Sequence, residues 1–119
     1  MRPLALLLLL GAALAALPPL LGPSLPSGTE LRLLSQDLRT LHGAWRVEGK
    51  RLLPLSPPVP PRPGQEVQLL LVLPGEKPRP FPGVADRGDV LLLKDQERLS
   101  LLRLLKEVYG LSPPERLWP

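Results

Sequence analysis

The single histidine, His42, is the side chain best suited to act as a general base in this chain of 119 residues. Nucleophilic catalysis needs such a base beside a serine, threonine or cysteine, together with a group that orients the base. The chain contains no cysteine, and no nucleophile motif surrounds any of its serines. We therefore interpret His42 as a surface or partly packed side chain and expect no catalytic residues.

Carboxylates are concentrated around the DRGD stretch at 86–89, with Asp95 and Glu97 close behind. Their spacing matches no calcium-binding loop, and an arginine separates the first pair. Turn formation and helix capping account for these residues better. The glycines are scattered and open no phosphate-binding helix. The sequence therefore predicts neither a metal site nor a cofactor.

Composition narrows the class of protein and its partners. The chain has 18 prolines, 10 glycines, one methionine and no cysteine, a pattern that favours a GC-rich genome and a thermophile. The net charge is +4, but basic and acidic residues alternate along the chain. Two tryptophans, one tyrosine and one phenylalanine are too few and too scattered to stack bases. We therefore expect no nucleic-acid partner.

Residues 1–25 resemble a membrane-targeting segment. Arg2 precedes the uncharged run Leu4–Leu14, and the ALA tripeptide at 13–15 has the small residues of a signal-peptidase site. A retained membrane anchor is the alternative, because apolar residues continue to Leu21 and approach the ~20 needed to span a bilayer. A buried core helix is the third interpretation. The first two place a small domain, residues 26–119, in the periplasm, in the cell envelope or outside the cell.

A leucine stripe predicts a helix over residues 28–42. Ser27 and Glu30 match a capping box, and Gly43 provides a stop. Four leucines recur at the spacing of one helical face. Together with Trp118, they are the candidate contacts with a partner: Leu31, Leu34, Leu38, Leu41 and Trp118. Packing onto the chain's own core is nevertheless the favoured role for the stripe and for Trp118.

Turn residues and apolar runs divide the rest of the chain. Residues 44–55 read as a β-hairpin that turns at Gly49. The proline-rich segment 54–64 should be a stiff polyproline II connector, with recognition by an aromatic groove as the lesser alternative.

Further along, residues 66–73 form a nearly continuous apolar run, which suggests a strand covered on both faces. We expect an exposed loop at 76–88, a second apolar strand at 89–94, and a helix from 96 to 109 capped by Asp95.

These elements predict a small α+β domain. Its two apolar strands, 66–73 and 89–93, would pair and carry the helix 96–109 on one face. With no catalytic signature, the favoured function is a non-catalytic exported or membrane-anchored envelope protein, an accessory or assembly subunit that binds another envelope protein. An uncleaved leader would add contact with the membrane.

Three alternatives remain open. One is a membrane-surface binder that uses the two predicted helices. Another is a carrier of a small apolar ligand in a pocket between sheet and helix. The third is a poorly folding translated frame, against which the capping box and the two helical stripes argue.

Overall fold

Seven antiparallel strands form one curled sheet, and a single short helix follows them. The structure is a computed structural model and describes residues 17–118; the predicted leader core Leu4–Leu14 lies outside these residues. The strands are β1 (Glu30–Ser35), β2 (Leu41–Glu48), β3 (Arg51–Pro54), β4 (Glu66–Val72), β5 (Arg79–Asp86), β6 (Asp89–Lys94) and β7 (Glu97–Ser100). Helix α1 starts as an α-helical turn at Leu101–Arg103 and continues as a π-helical turn over Leu104–Val108.

The sheet consists of two meanders joined side by side. Its strand order is β3-β2-β1-β4-β5-β6-β7, so every pair but one joins strands that are consecutive in the chain. The exception is β1 with β4, which pair in continuous register from Glu30 opposite Val72 to Ser35 opposite Val67. The proline-rich connector spans the distance between the two meanders.

The core lies on the concave side of the sheet. Side chains alternate along each strand, and the inward members include Leu31 and Leu33 of β1 and Leu69 and Leu71 of β4, none more than 1% exposed. The segments that precede and follow the sheet in the sequence cover this concave side. The covering side chains are Leu21, Leu25, Leu101, Leu104, Leu105, Leu111, Leu117 and Trp118.

The predicted α+β architecture is wrong, because the protein is mostly β. The predicted helix 28–42 is instead β1, a turn and the start of β2. Within β1, Leu31 and Leu33 point to the core while Leu34 lies on the opposite face of the sheet. Apolar residues on both faces produce a three-to-four-residue spacing that resembles a helix. Ser27 is not a helix cap either, since its Oγ accepts a hydrogen bond from Gly49 N at 2.8 Å.

The second predicted helix, 96–109, is correct only in its later part. Residues Glu97–Ser100 pair with β6 as strand β7, and Asp95 occupies the intervening turn with φ of 56°. The helix is capped instead by Ser100, whose Oγ accepts from Arg103 N at 3.1 Å. Asp89 supports this start by accepting hydrogen bonds from the Ser100 hydroxyl and from Leu102 N.

The predicted loop 76–88 contains strand β5. It separates β4 from β6, so the two apolar strands do not pair with each other as predicted. Pro80 and Pro82 lie opposite Leu70 and Gln68 of β4. On its other side β5 pairs with β6 only from Gly83 onward, which leaves its edge open at Pro80 and Pro82. Proline has no N–H to offer a further strand, so the two prolines protect this edge from pairing with another chain.

The predicted hairpin, the two apolar strands and the return of Trp118 to the core are confirmed. Strands β2 and β3 form the predicted hairpin around Gly49, and the apolar runs are strands β4 and β6. Beyond Pro54, the connector contributes no residue to the named strands. Trp118 packs in the core, edge-to-face with Trp45 at a centroid distance of 6.3 Å. Gly43 allows this arrangement, since a Cβ there would collide with the Trp45 ring.

The segment 17–25 covers the concave side ahead of β1. Leu21 is fully buried and Leu25 nearly so, although both fall within the predicted leader 1–25. The Tyr109 hydroxyl holds the segment in place, accepting from Leu21 N at 2.9 Å and donating to Gly22 O at 2.7 Å. These residues therefore contribute to the packed core.

Truncating Leu21 tests whether this segment is structural. Leu21→Ala should lower the free energy of unfolding by about 2–5 kcal/mol, because it leaves a cavity in a filled core. Urea unfolding of the full chain measures the change. Leu38→Ala is the control, since Leu38 is 53% exposed and its truncation should cost less than about 0.5 kcal/mol. Equal effects of the two substitutions would contradict a packed role for Leu21.

Tyr109 should make stability depend on alkaline pH. Burial raises the pKa of its phenol above the ordinary value, so the folded state favours the neutral form, and its stabilisation is lost as the pH rises above about 10. Tyr109→Phe should destabilise the protein by about 0.5–1.5 kcal/mol at pH 7. The difference between the two proteins should shrink from about pH 9 to pH 11, as followed by urea unfolding. A constant difference would exclude this linkage.

Candidate functional site: an apolar outer face

The convex face of the sheet carries an unusual number of apolar side chains. Residues that lie opposite each other on neighbouring strands share a face, so the registers place these side chains together on the side away from the core. We call this set the outer band: Leu34, Leu41, Ala44, Leu53, Leu55, Leu70, Pro80, Pro82 and Leu93. Along a strand with one solvated face, apolar residues normally point to the core and polar residues to the solvent. The outer band departs from this rule, because its apolar side chains lie on the face away from the core.

Part of the outer band lines a groove of about 440 Å³. Its apolar lining comes from β1, β2, β4 and the residues after β3, namely Leu34, Leu41, Ala44, Leu70 and Leu55. Leu41 and Leu55 remain 41% and 37% exposed. In the described part of the chain, these side chains have no covering segment, because residues 17–28, α1 and the carboxyl-terminal tail pack on the concave side.

Two polar atoms near the outer band have no hydrogen-bond partner among residues 17–118. They are Ser56 Oγ, which belongs to the groove, and Gln68 Oε1, which lies between Leu34 and Pro82 in the register. Both atoms are shielded from solvent. Leaving a buried polar atom unpaired costs about 1–3 kcal/mol, so these two atoms weaken the folded state rather than stabilise it.

Charged residues of both signs border the groove. Glu30 Oε1 lies 2.7 Å from an Arg32 guanidinium nitrogen, and Glu48 lies 3.5 Å from Arg46. These pairs are largely exposed and add little to stability. An apolar centre with a mixed charged border is the usual anatomy of a protein–protein interface.

The turn between β1 and β2 presents Leu38 beside this surface. Asp37 accepts hydrogen bonds from the Ser35 hydroxyl at 2.6 Å and from Arg39 N at 3.1 Å. The Ser35 hydrogen bond holds the pKa of Asp37 below its usual value. Leu38 then adopts φ of 64°, a left-handed conformation that costs a leucine roughly 1–2 kcal/mol. Strained residues cluster at binding sites, so Leu38 is a candidate contact.

The candidate contacts predicted from the sequence separate into two groups. Leu34 and Leu41 line the groove, and Leu38 lies at the tip of the neighbouring turn. Leu31 and Trp118 are 1% and 3% exposed and belong to the core.

Sequence reasoning missed the contributions of Leu55, Leu70 and the prolines of β5. The continuous apolar run of β4 was the available signal, since it suggested a strand covered on both faces.

His42 serves the structure of the connector. It is buried, and its Nδ1 lies 2.8 Å from Val59 O, so this nitrogen carries the proton and donates. Its Nε2 lies 3.3 Å from Gln65 Nε2 and accepts from that amide. Both ring nitrogens are therefore engaged in holding segments of the chain.

Two further kinds of site were sought among residues 17–118. No group of three or more histidine, aspartate or glutamate side chains comes together there as a metal site would require. Within the same residues, no helix is both long enough and apolar enough to cross a bilayer.

Comparisons with known proteins returned no relative. No protein-family model matches the chain, and neither the curated proteins nor the solved structures contain a significant match.

Polar substitution in the groove should leave the fold intact. Leu41→Ser and Leu55→Ser remove side chains that are partly exposed on the outer face, so each should change the free energy of unfolding by less than about 0.5–1 kcal/mol. Leu33→Ser, at a fully buried position of the core, should be far more damaging. Urea unfolding distinguishes the two. Strong destabilisation by the groove substitutions would mean that the outer band serves folding.

Proposed function

We propose that this protein is a non-catalytic, extracytoplasmic adaptor that binds another protein of the cell envelope through the outer band. The observation that carries the proposal is the apolar groove on the convex face, which the described part of the chain leaves uncovered. Exposing leucines to water on a folded surface gives no benefit to the monomer, whereas burying them against a partner gains roughly 25 cal/mol per Å².

The chemistry of the surface favours a protein over a lipid bilayer. The charged border contains glutamates as well as arginines, and glutamates beside an anionic headgroup region would be repelled. The expected partner therefore presents an apolar segment flanked by charged or polar groups.

A carrier of a small apolar ligand is a weaker alternative. In a curled sheet the concave side is the natural place to enclose a ligand. Here that side is filled by side chains from the sheet, from the segment 17–25 and from α1. The groove on the outer face is open, and this suits a surface contact better than an enclosed ligand.

Export of the domain rests on the leader predicted from the sequence. Cleavage after Ala15 would release a chain that begins at Ala16 and would keep every residue of the packed segment 17–25. A retained leader would hold the same domain at the membrane. Both outcomes deliver the outer band to the cell envelope, and amino-terminal sequencing of the native protein distinguishes them.

Substitution in the groove should abolish partner binding. The full chain is expressed in its native cells as the wild type, as the double variant Leu41→Glu with Leu55→Glu, and as a control. Val59→Glu is the matched control, because Val59 is 50% exposed and does not line the groove. Chemical crosslinking of intact cells, followed by mass spectrometry, should give one heterologous envelope protein with the wild type and the control, and not with the double variant.

Purified components complete the test. The recovered protein should bind the wild type with a dissociation constant at least tenfold lower than for the double variant. Binding that is equally strong for both would place the contact elsewhere and contradict the proposal. Binding of the wild type to anionic liposomes, lost at high salt, would support the membrane-surface function instead.

A further inference from the structure

A second concave site lies on a different part of the surface, between the connector, the β5–β6 turn and the carboxyl-terminal tail. It is a cleft of about 290 Å³, close to the lower end of the range for small-molecule sites. We call it the arginine cleft. Its main lining residues are Pro60, Pro61, Pro63, Arg87, Arg116 and Trp118.

Hydrogen bonds fix the three walls of the arginine cleft against one another. Gly64 N donates to Ala85 O at 2.8 Å and Ala85 N to Gln65 O at 2.9 Å, which joins the connector to β5. Leu117 N donates to Gly88 O at 2.7 Å. Trp118 Nε1 donates to His42 O at 2.9 Å. The backbone of the cleft is therefore preorganised, whereas the side chains of Arg87 and Arg116 are exposed.

The two arginines are brought together by the backbone. Arg87 and Gly88 occupy the two-residue turn of the β5–β6 hairpin, with φ of 47° and 91°. Arg116 packs directly on Gly88, because a Cβ on that glycine would lie 2.9 Å from the Arg116 Cβ. Residues 29 positions apart in the sequence thus meet at one cleft. Gly88 is required there both for its φ and for this close contact.

Neither guanidinium is neutralised within the described residues. Arg87 and Arg116 lie within 4.0 Å of no carboxylate of residues 17–118, and no acidic side chain lines the cleft. The nearby Asp89 is engaged by Val90 N, Leu102 N and the Ser100 hydroxyl. Glu115 lines a different surface depression beside Arg103 and Lys106. The lining of the cleft therefore holds two cationic side chains and no carboxylate, while Asp86, Asp89 and Glu115 stand outside it.

We infer that the arginine cleft binds a small organic anion, a carboxylate or phosphate group carried on a compact apolar body. Guanidinium groups pair with both kinds of anion through parallel hydrogen bonds. The proline rings and the edge of Trp118 offer apolar contact to the rest of the ligand. This site goes beyond the proposed protein-binding function, since it uses none of the outer-band residues.

Four probe compounds separate the requirement for a negative charge from the requirement for an apolar body. 3-Phenylpropionate has both an anion and an apolar body, phenyl phosphate tests the second anion, 3-phenylpropanol lacks the charge, and acetate lacks the apolar body. Titration of the ¹⁵N-labelled protein follows the Trp118 indole N–H, which is one of two indole signals because the chain has two tryptophans. Saturable shifts are expected with 3-phenylpropionate or phenyl phosphate at a dissociation constant of about 1 mM or below. Whichever of the two binds tighter identifies the preferred anion.

Variants of the two arginines complete the experiment. Arg87→Gly suits the positive φ at that position, and Arg116→Ala changes an exposed side chain, so both should fold. Each should weaken binding of the preferred anion at least fivefold, and Arg116→Lys should recover part of the loss. Arg98→Ala, at an exposed position on β7 away from the cleft, should bind as the wild type does.

Three results would overturn the inference. They are an absence of saturable binding by both anionic probes up to about 10 mM, equal binding of 3-phenylpropanol, and undiminished binding by the Arg87→Gly and Arg116→Ala variants. Failure of the outer-band experiment would leave this test unaffected, because the two surfaces share no residue.

Discussion

The antiparallel pairing of β1 with β4 holds the two halves of the sheet together. All other strand pairs join neighbours in the chain, which form with a small loss of loop entropy. The β1–β4 pair closes a much longer segment and aligns Leu31 and Leu33 with Leu71 and Leu69. Burial of these four leucines at the centre of the concave side offsets the entropy of closure. The β1–β4 pairing in turn sets the positions of the connector, the groove and the arginine cleft.

This pairing also determines what the outer face displays. The register that places Leu31 and Leu33 inside necessarily places Leu34 outside, across the sheet from Gln68 and Leu41. A one-residue slip would exchange the two faces, so the buried face fixes the exposed one. The outer apolar residues are therefore a consequence of register and not of a loosely packed core. Their presence on a solvent-facing surface motivates the proposed binding role of that face.

Failures of sequence-based prediction coincide with the candidate site. Residues 28–42 resembled a helix because Leu34, Leu38 and Leu41 interrupt the alternation expected of a strand with one wet face. The proline-rich part of β5 resembled a loop, because the sequence does not show that one edge of this strand lacks a neighbouring strand at Pro80 and Pro82. Sequences depart from local structural preferences mainly at functional or strained sites. Two of the five candidate contacts, Leu34 and Leu41, were nevertheless residues of the groove.

Several local features follow from short stretches of the chain alone: the hairpin at Gly49, the apolar strands β4 and β6, and the return of Trp118 to the core. Each depends on the conformational preferences of neighbouring residues or on the cost of exposing a large apolar side chain. The strand order, the faces that the leucines occupy and the placement of Arg87 and Arg116 around one cleft are visible only in the folded chain. These depend on pairing between distant strands and segments, whose register is set by the whole buried face rather than by any single stretch of the chain.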